Sequence, residues 1–364
     1  MKILLISNMY PSRKYPHYGI FVKNTEDVLL QVPGVTVDRA VLDKRDGKLS
    51  KLIGYLKFYA GAVLRGIFGG YDVIYAHFIS HAALPLLLLR TLKPKVKLVL
   101  NAHGNDVVAD IPKDDKWVAL SHRIVPKADY IIVPSRYFKE LMRRDFQVPE
   151  EKLLVYPSGG VDHRVFCRKD RPALIQRYGL DPNKKYIGYI SRLEADKGWD
   201  TFLQMAATLQ IPEDLGFIVI GDGAQHGEFD AMAAQLGIAD KLLRYPLLSQ
   251  AEIADFYNIL DVFCFPTRRK SESLGLVGLE AMCCGCLVVA SSAGGPSSYM
   301  KDGENGFVFP DSDHHSLTQK VCTALSLTEA EKAPILAGMA ATAAAYSKAA
   351  VDQILIDFFL QIKS

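Results

Sequence analysis

The strongest constraint on this chain is an alternation. Short apolar runs of strand-forming composition recur: KILLIS, VTVDRAV, DVIYA, KLVLNA and DYIIVP in the first half, then YIGYIS, FIVIG, DVFCFP, CLVVAS and GFVF in the second. Helix-length segments with apolar residues at 3.6-residue spacing, such as 252 to 260 and 276 to 284, fill most of the intervals. Strands that alternate with helices pair in parallel and carry helices on both faces, because a parallel connection needs a long crossover. The 364 residues exceed what one hydrophobic core usually serves, so two doubly wound α/β domains are expected. The stretch VYPSGGVDHRVFCRKDRPAL, rich in Gly, Pro and charge, reads as an interdomain linker near residues 158 to 180. Ligands of such sheets bind beyond the carboxyl ends of the strands, so the site is expected in a cleft between the domains.

Composition narrows the class. With 49% hydrophobic and 23% charged residues, and no low-complexity tract, the chain reads as a soluble globular protein. The opening MKILLISNMYP reads as a first strand, its apolar run being too short for a signal-peptide core. The longest apolar run, 82 to 92, is interrupted by Pro85 and Arg90 and falls short of the roughly 20 residues that span a bilayer. A cytoplasmic location is the expectation. Six cysteines in such a chain are expected as reduced thiols, and Cys283, Cys284 and Cys286 lack zinc-like pairing, so they read as core. The net charge of +3 hides a split: residues 1 to 170 hold 27 Lys and Arg against 17 Asp and Glu, leaving 16 against 23 for the remainder. A basic first half favours an anionic surface, membrane or nucleic acid, as its partner; no nucleic-acid motif accompanies the charge, so none is expected.

The second half contains SESLGLVGLEAMCCGCLVVAS, in which Glu272 and Glu280 punctuate an otherwise apolar run. A helix starting near Gly275 would separate the two carboxylates by about 12 Å at 1.5 Å rise per residue, roughly the span from one sugar across a diphosphate to another. Leu274, Gly275 and Leu276 at that helix start would present backbone N–H groups and a positive dipole end to phosphate. Carboxylates accept hydrogen bonds and suit paired hydroxyls, so each glutamate would grip one sugar. The alternative is a helix-N-terminal charge and an exposed glutamate. Cations follow a strand in ISRLEADKGWD, as Arg192 and Lys197, where a solvated turn is the competing reading. Gly221 and Gly223 follow another strand in FIVIGDGAQHG, which equally fits a plain turn.

Taken in order and spacing, GIFV at Gly19, HGND at His103, PSGGVD, SRLEADKG, GDG and the Glu-to-Glu motif resemble the retaining glycosyltransferases of family 4. The resemblance covers almost the whole chain. It implies the GT-B architecture: two Rossmann-like domains facing a cleft, with an acceptor-side domain at 1 to 170, a nucleotide-sugar domain at 171 to 347, and a C-terminal helix at about 348 to 364 packing back on the first. It implies that Arg192 and Lys197 bind the donor diphosphate, Glu280 the ribose and Glu272 the transferred sugar. Gly19 would belong to a loop facing the acceptor or diphosphate, and His103 would lie beside the reacting sugar; a structural histidine is the competing reading there. The chain departs from the pattern with one glycine at Gly19 where many relatives have two, PSGG for Pro-Asn-Gly, and Cys286 for proline.

The implied activity is hexose transfer from a UDP- or GDP-sugar to a hydroxyl of a glycan or lipid-linked acceptor, as in bacterial surface polysaccharide assembly. No cofactor and no metal are expected, since Arg192, Lys197 and a helix N-terminus would offset the phosphate charge. DSD at Asp311 to Asp313 reads as a helix N-cap rather than a metal motif. A non-hydrolysing sugar-nucleotide epimerase and a catalytically silent GT-B binding protein are the rival readings. Residues 44 to 68 present Leu52, Ile53, Leu56, Tyr59, Ala60, Val63 and Leu64 on one helical face, flanked by Lys48, Lys51, Lys57 and Arg65. Two readings stay open for them: an interfacial helix on the inner face of an anionic cytoplasmic membrane, or a core-facing helix with solvated lysines.

Overall fold

The computed structural model describes residues 1–209 and 213–363. The chain divides into two units, Met1–Gly159 with Ala349–Ser364, and Gly160–Lys348. The first is built on six parallel strands, β1 Lys2–Tyr10, β2 Thr36–Asp43, β3 Val73–His77, β4 Lys97–Asn101, β5 Tyr130–Val133 and β6 Leu153–Val155, in the order β2-β1-β3-β4-β5-β6. Its helices are α1 Ile20–Leu29, α2 Lys48–Phe68, α3 Ile79–Leu92, α4 Asp115–Ile124 and α5 Arg136–Asp145. Side chains alternate across a strand, and here both faces are buried: Leu4 and Ile6 enter one core, Ile3 and Leu5 another.

The second unit repeats the plan. Strands β7 Lys185–Ile190, β8 Leu215–Ile220, β9 Leu242–Tyr245, β10 Val262–Phe265, β11 Leu287–Ser291 and β12 Phe307–Phe309 run in the order β12-β11-β10-β7-β8-β9. The helices are α6 Arg171–Arg177, α7 Trp199–Thr208, α8 His226–Gln235, α9 Gln250–Ile259, α10 Leu276–Cys284, α11 His314–Ser326 and α12 Glu329–Ala345. The last helix, α13 Lys348–Lys363, buries Val351, Leu355, Phe359 and Ile362 in the core of the first unit, where Lys97 Nζ donates to the Ile362 carbonyl at 2.5 Å. Strand order reverses between β1 and β3 in one sheet and between β7 and β10 in the other.

Three features differ from the sequence reading. The short strands β6 (LLV) and β9 (LLRY) went unread: each is a sheet edge of only three or four residues, too short for its apolar residues to show a period. The segment expected as a linker is part of the second unit instead: Val161, Phe166, Leu174 and Ile175 are buried in its core and α6 lies within it. Helix α2 is core-facing along one side and apolar on its exposed side. It packs through Gly54, Phe58, Ala62 and Gly66, while Leu52, Leu56 and Leu64 remain 58%, 62% and 56% exposed. Tyr59 leaves the exposed face and donates to the His81 carbonyl at 3.1 Å. Among the described residues, no helix is long and apolar enough to cross a membrane.

Candidate active site

Loops 191–198 and 266–275 leave the carboxyl ends of β7 and β10, flanking the reversal of strand order where ligands of open α/β sheets bind. Charge joins them. Lys197 Nζ lies 2.6 Å from Glu272 Oε2, and the two side chains are only 10% and 16% exposed. Arg268 reaches Asp200 at 2.7 Å; Arg269 Nε reaches Asp196 at 3.2 Å and donates to Ser271 Oγ at 2.8 Å. The Arg268 N–H adds a bond to the Asp196 carbonyl at 2.8 Å. Beneath the first loop, the buried Tyr189 hydroxyl donates to the carbonyls of Lys197 at 3.3 Å and Arg192 at 3.4 Å. Arg192 itself is 59% exposed and pairs with Glu194 at 2.6 Å.

Helix α10 begins at Leu276, after a loop through 272 to 275. Gly275 caps it in the left-handed region at φ 79°, where a Cβ would meet the Phe265 ring at 2.7 Å and Pro296 at 2.8 Å. The Tyr299 hydroxyl donates to the Gly275 carbonyl at 2.8 Å, and the Gly295 N–H donates to the Glu272 carbonyl at 2.8 Å, so the helix start is held from two sides. Gly221, at φ 130° after β8, lets the backbone approach Ser191: a Cβ there would be 2.1 Å from its carbonyl oxygen. Glu280 lies on the second turn of α10. Its carboxyl has no hydrogen bond or ion pair among the described residues, and desolvation pushes it up to about 7. A carboxylate kept there without a partner is costly, and ligand hydroxyls would relieve that cost.

The first unit arranges different chemistry. Gly19 caps α1 at φ 73°, after the loop from β1, with the backbone of Met9 and Tyr10 where a Cβ would stand, 2.6 Å away. His103 follows β4. Asp106, fully buried, accepts from the N–H groups of His103 at 3.0 Å, Gly104 at 2.9 Å and Ile79 at 3.0 Å, tying this loop to the start of α3. The His103 ring stacks on Phe78 at 4.9 Å and on the fully buried His77 at 5.1 Å, with Phe21 at 4.7 Å. His103 Nε2 lies 2.9 Å from His77 Nδ1. Burial pushes His103 down to about 3 and His77 also down. Near neutral pH both rings are uncharged hydrogen-bonding groups.

Comparison with known proteins finds a family match for each half of the chain. Residues 170–338 match the family model of glycosyl transferases group 1, and residues 20–159 match that of a glycosyl transferase 4-like domain. The chain is 30% identical over 304 residues to the D-inositol 3-phosphate glycosyltransferase of Kribbella flavida, covering 77% of this chain and 70% of that one. It belongs to the family 4, group 1 glycosyltransferases. The corresponding protein of Xylanimonas cellulosilytica is 28% identical over 344 residues, 88% of this chain and 79% of its own length. Among solved structures, sucrose-phosphate synthase from Thermosynechococcus elongatus aligns with a TM-score of 0.82 at 19% identity, over 100% and 99% of the two chains. Anabaena HepE in complex with UDP-glucose aligns at 0.77 and 20% identity, over 99% and 100%. These likenesses establish the GT-B fold.

Of the site residues read from the sequence of this glycosyltransferase, Lys197 and Glu272 are in contact across two loops, and Leu274, Gly275, Leu276 and Glu280 share one loop and helix with Glu272. Arg192 is on the same loop as Lys197 but is engaged with Glu194. Gly221 adjoins that loop through Ser191. Gly19 and His103 belong to the first unit. Arg268, Arg269, Asp196, Asp200, His77 and Asp106 were missed. The run TRRK directly after DVFCFP was a usable signal, since three cations at the end of a parallel strand lie where ligands bind. His77 sits at the end of a buried strand and gives no such signal.

Proposed function

We propose that this glycosyltransferase moves a hexose, with retained anomeric configuration, from a UDP- or GDP-sugar to a hydroxyl of a glycan or lipid-linked acceptor in surface polysaccharide assembly. The observation that carries this reading is Glu280: an uncompensated, desolvated carboxyl one turn into a glycine-capped helix, with Lys197 and Glu272 paired at the preceding loop. Glu280 binds the ribose hydroxyls, the start of α10 with Lys197 and Arg192 receives the diphosphate, and Glu272 holds the transferred sugar. The C1–O bond to the diphosphate breaks while the acceptor oxygen attacks from the same face. The acceptor proton passes to a donor phosphate oxygen. Lys197, Arg192 and the helix N-terminus stabilise the developing phosphate charge, so the reaction proceeds in excess chelator. Neutral His103 donates or accepts a hydrogen bond at the sugar, and Gly19 lets the loop after β1 approach the substrate. Asp313, which accepts from the Ser316 N–H at 3.0 Å, acts as a helix cap.

Calorimetric titration with nucleoside diphosphate tests the roles. Glu280→Ala should weaken binding about tenfold or more, while Glu272→Ala should keep nucleotide affinity and lose turnover. Equal loss of affinity in both variants overturns the assignment. The exposed leucines of α2, with Lys48, Lys51 and Lys57 beside them, support a position on the inner face of the cytoplasmic membrane, leucines in the interface and lysines at anionic head groups. The names of the relatives favour a second acceptor for the same assay, D-inositol 3-phosphate.

A further inference from the structure

A groove of about 420 Å³ lies between the edge strand β2 and helix α2, within the range of small-ligand sites, roughly 300–1,000 Å³. It belongs to neither set of site residues described above. Its apolar lining includes Leu42, Ile53 and Phe58, and three cations line it as well, Arg45, Lys57 and Arg65. Arg45 pairs with Asp43 at 2.7 Å, and the Asp38 carboxyl, held low first by hydrogen bonds from Tyr71 and Lys2, also feels the charge of Arg65. Lys57 has no acidic partner among the described residues. Gly61 opens the groove: a Cβ built on it would meet no heavy atom within 4 Å.

The groove exposes polar and apolar surface in similar measure, and a lining that sets cations beside apolar side chains is complementary to an amphiphile that carries a negative head. Sugar phosphates lack the apolar part and neutral lipids lack the charge. The exposed leucines at 49, 52 and 56, at 70%, 58% and 62%, continue the apolar surface outward from the groove along α2. Such a surface would let a chain enter from a bilayer without crossing water. Leu42 and Arg45 mark the end of the groove at the carboxyl edge of β2, the edge of the sheet from which the Gly19 and His103 loops also leave.

We propose that this groove binds one anionic lipid, its chain along the apolar lining and its phosphate at Lys57 and Arg45. The inference rests on the membrane-facing reading of α2 only for the source of the lipid.

Isothermal titration of the full chain with dihexanoyl phosphatidic acid, kept below its micellar concentration, tests it. Saturable one-to-one binding is expected, with dihexanoyl phosphatidylcholine and inorganic phosphate each at least tenfold weaker. Gly61→Leu should fill the groove and weaken phosphatidic acid at least tenfold, while co-sedimentation with anionic vesicles stays unchanged. Leucine is a better helix former than glycine, so α2 should persist. Lys57→Glu should weaken the same ligand without occupying space. No saturable binding, equal binding of phosphatidylcholine or inorganic phosphate, or an unaffected Gly61→Leu overturns the proposal. Binding of the short-chain lipid with no affinity for vesicles leaves the groove standing and removes the interfacial reading of α2. Vesicle binding without short-chain binding does the reverse.

Discussion

The two units carry the same kind of parallel sheet and place their candidate residues at strand ends near a reversal of strand order, but they hold those residues by different forces. In the second unit, ion pairs cross between loops: Lys197 to Glu272, Arg268 to Asp200, Arg269 to Asp196. In the first, rings of Phe21, Phe78, His77 and His103 stack, and the buried Asp106 satisfies three backbone N–H groups. A charged loop can exchange an internal partner for a phosphate or hydroxyl of the ligand. A stacked, neutral loop presents a fixed surface and needs no exchange. The difference also sets opposite responses to pH, and it can be broken or sharpened by experiment.

The largest effect should come from the Lys197–Glu272 pair. Removing one partner leaves the other charge poorly solvated, which typically costs about 3–5 kcal/mol, whereas replacing both by neutral residues of similar volume costs much less. Lys197→Met and Glu272→Gln should each destabilise the second unit strongly, and the double variant less than either alone. The two tryptophans make this readable, since Trp117 lies in the first unit and Trp199 in the core of the second. In a Trp117→Phe background, urea unfolding followed by Trp199 emission reports the second unit. Single variants that cost below about 1 kcal/mol would show a solvated pair, and the contrast between the units would fail.

A smaller effect of opposite origin is expected at Glu280. Its carboxyl titrates near 7 in the folded protein, above its ordinary value near 4.5, so the native state binds the extra proton between those limits. Stability therefore falls as pH rises through that window. Glu280→Gln should be more stable than wild type by about 2 kcal/mol at pH 8, with the gain vanishing near pH 4.5. The same variant should lose nucleotide affinity. Thermal melts at the two pH values decide it: a gain that is constant with pH means that the carboxyl is not desolvated.

Much of this was legible in the sequence because buried parallel strands and their crossover helices leave periodic traces. The apolar setting of the half-buried Glu280 was legible too, from the AMCCGCLVVA that follows it. The pairing of Lys197 with Glu272 was not. The two are 75 positions apart, and only the adjacency of β7 and β10 brings their loops together. The expectation that one would hold phosphate and the other sugar concealed that they hold each other. Arg268 and Arg269 escaped for a related reason, as a basic run reads as solvated until Asp196 and Asp200 are known to face it. Periodicity grouped Leu52, Leu56, Leu64 and Tyr59 on one face of α2 but could not say what that face meets; the three leucines are exposed, whereas the Tyr59 hydroxyl finds a backbone acceptor on α3.

The smallest expected response is at His103, and it tests the neutral character of the first unit directly. Burial depresses both His103 and His77, so the folded state binds fewer protons than the unfolded chain. Their contribution to stability is fully present above the ordinary histidine value near 6.5 and is lost as pH falls toward about 3, the reverse of Glu280. Between pH 8 and pH 5 the ring should hold one protonation state. Its tautomer follows from hydrogen-bond economy. His77 Nε2 is buried without a partner, and an unpaired acceptor is tolerated better than an unpaired N–H. His77 Nδ1–H therefore donates across the 2.9 Å contact to His103 Nε2, and His103 carries its own proton on Nδ1, free to donate to a substrate oxygen. Imidazole ¹⁵N shifts of the labelled protein distinguish the two nitrogens. Shifts that stay constant from pH 8 to pH 5, with the protonated signal at Nδ1, support a fixed neutral donor. A ring that titrates within that range, or carries its proton on Nε2, would make this loop as exchangeable as the charged loops of the second unit.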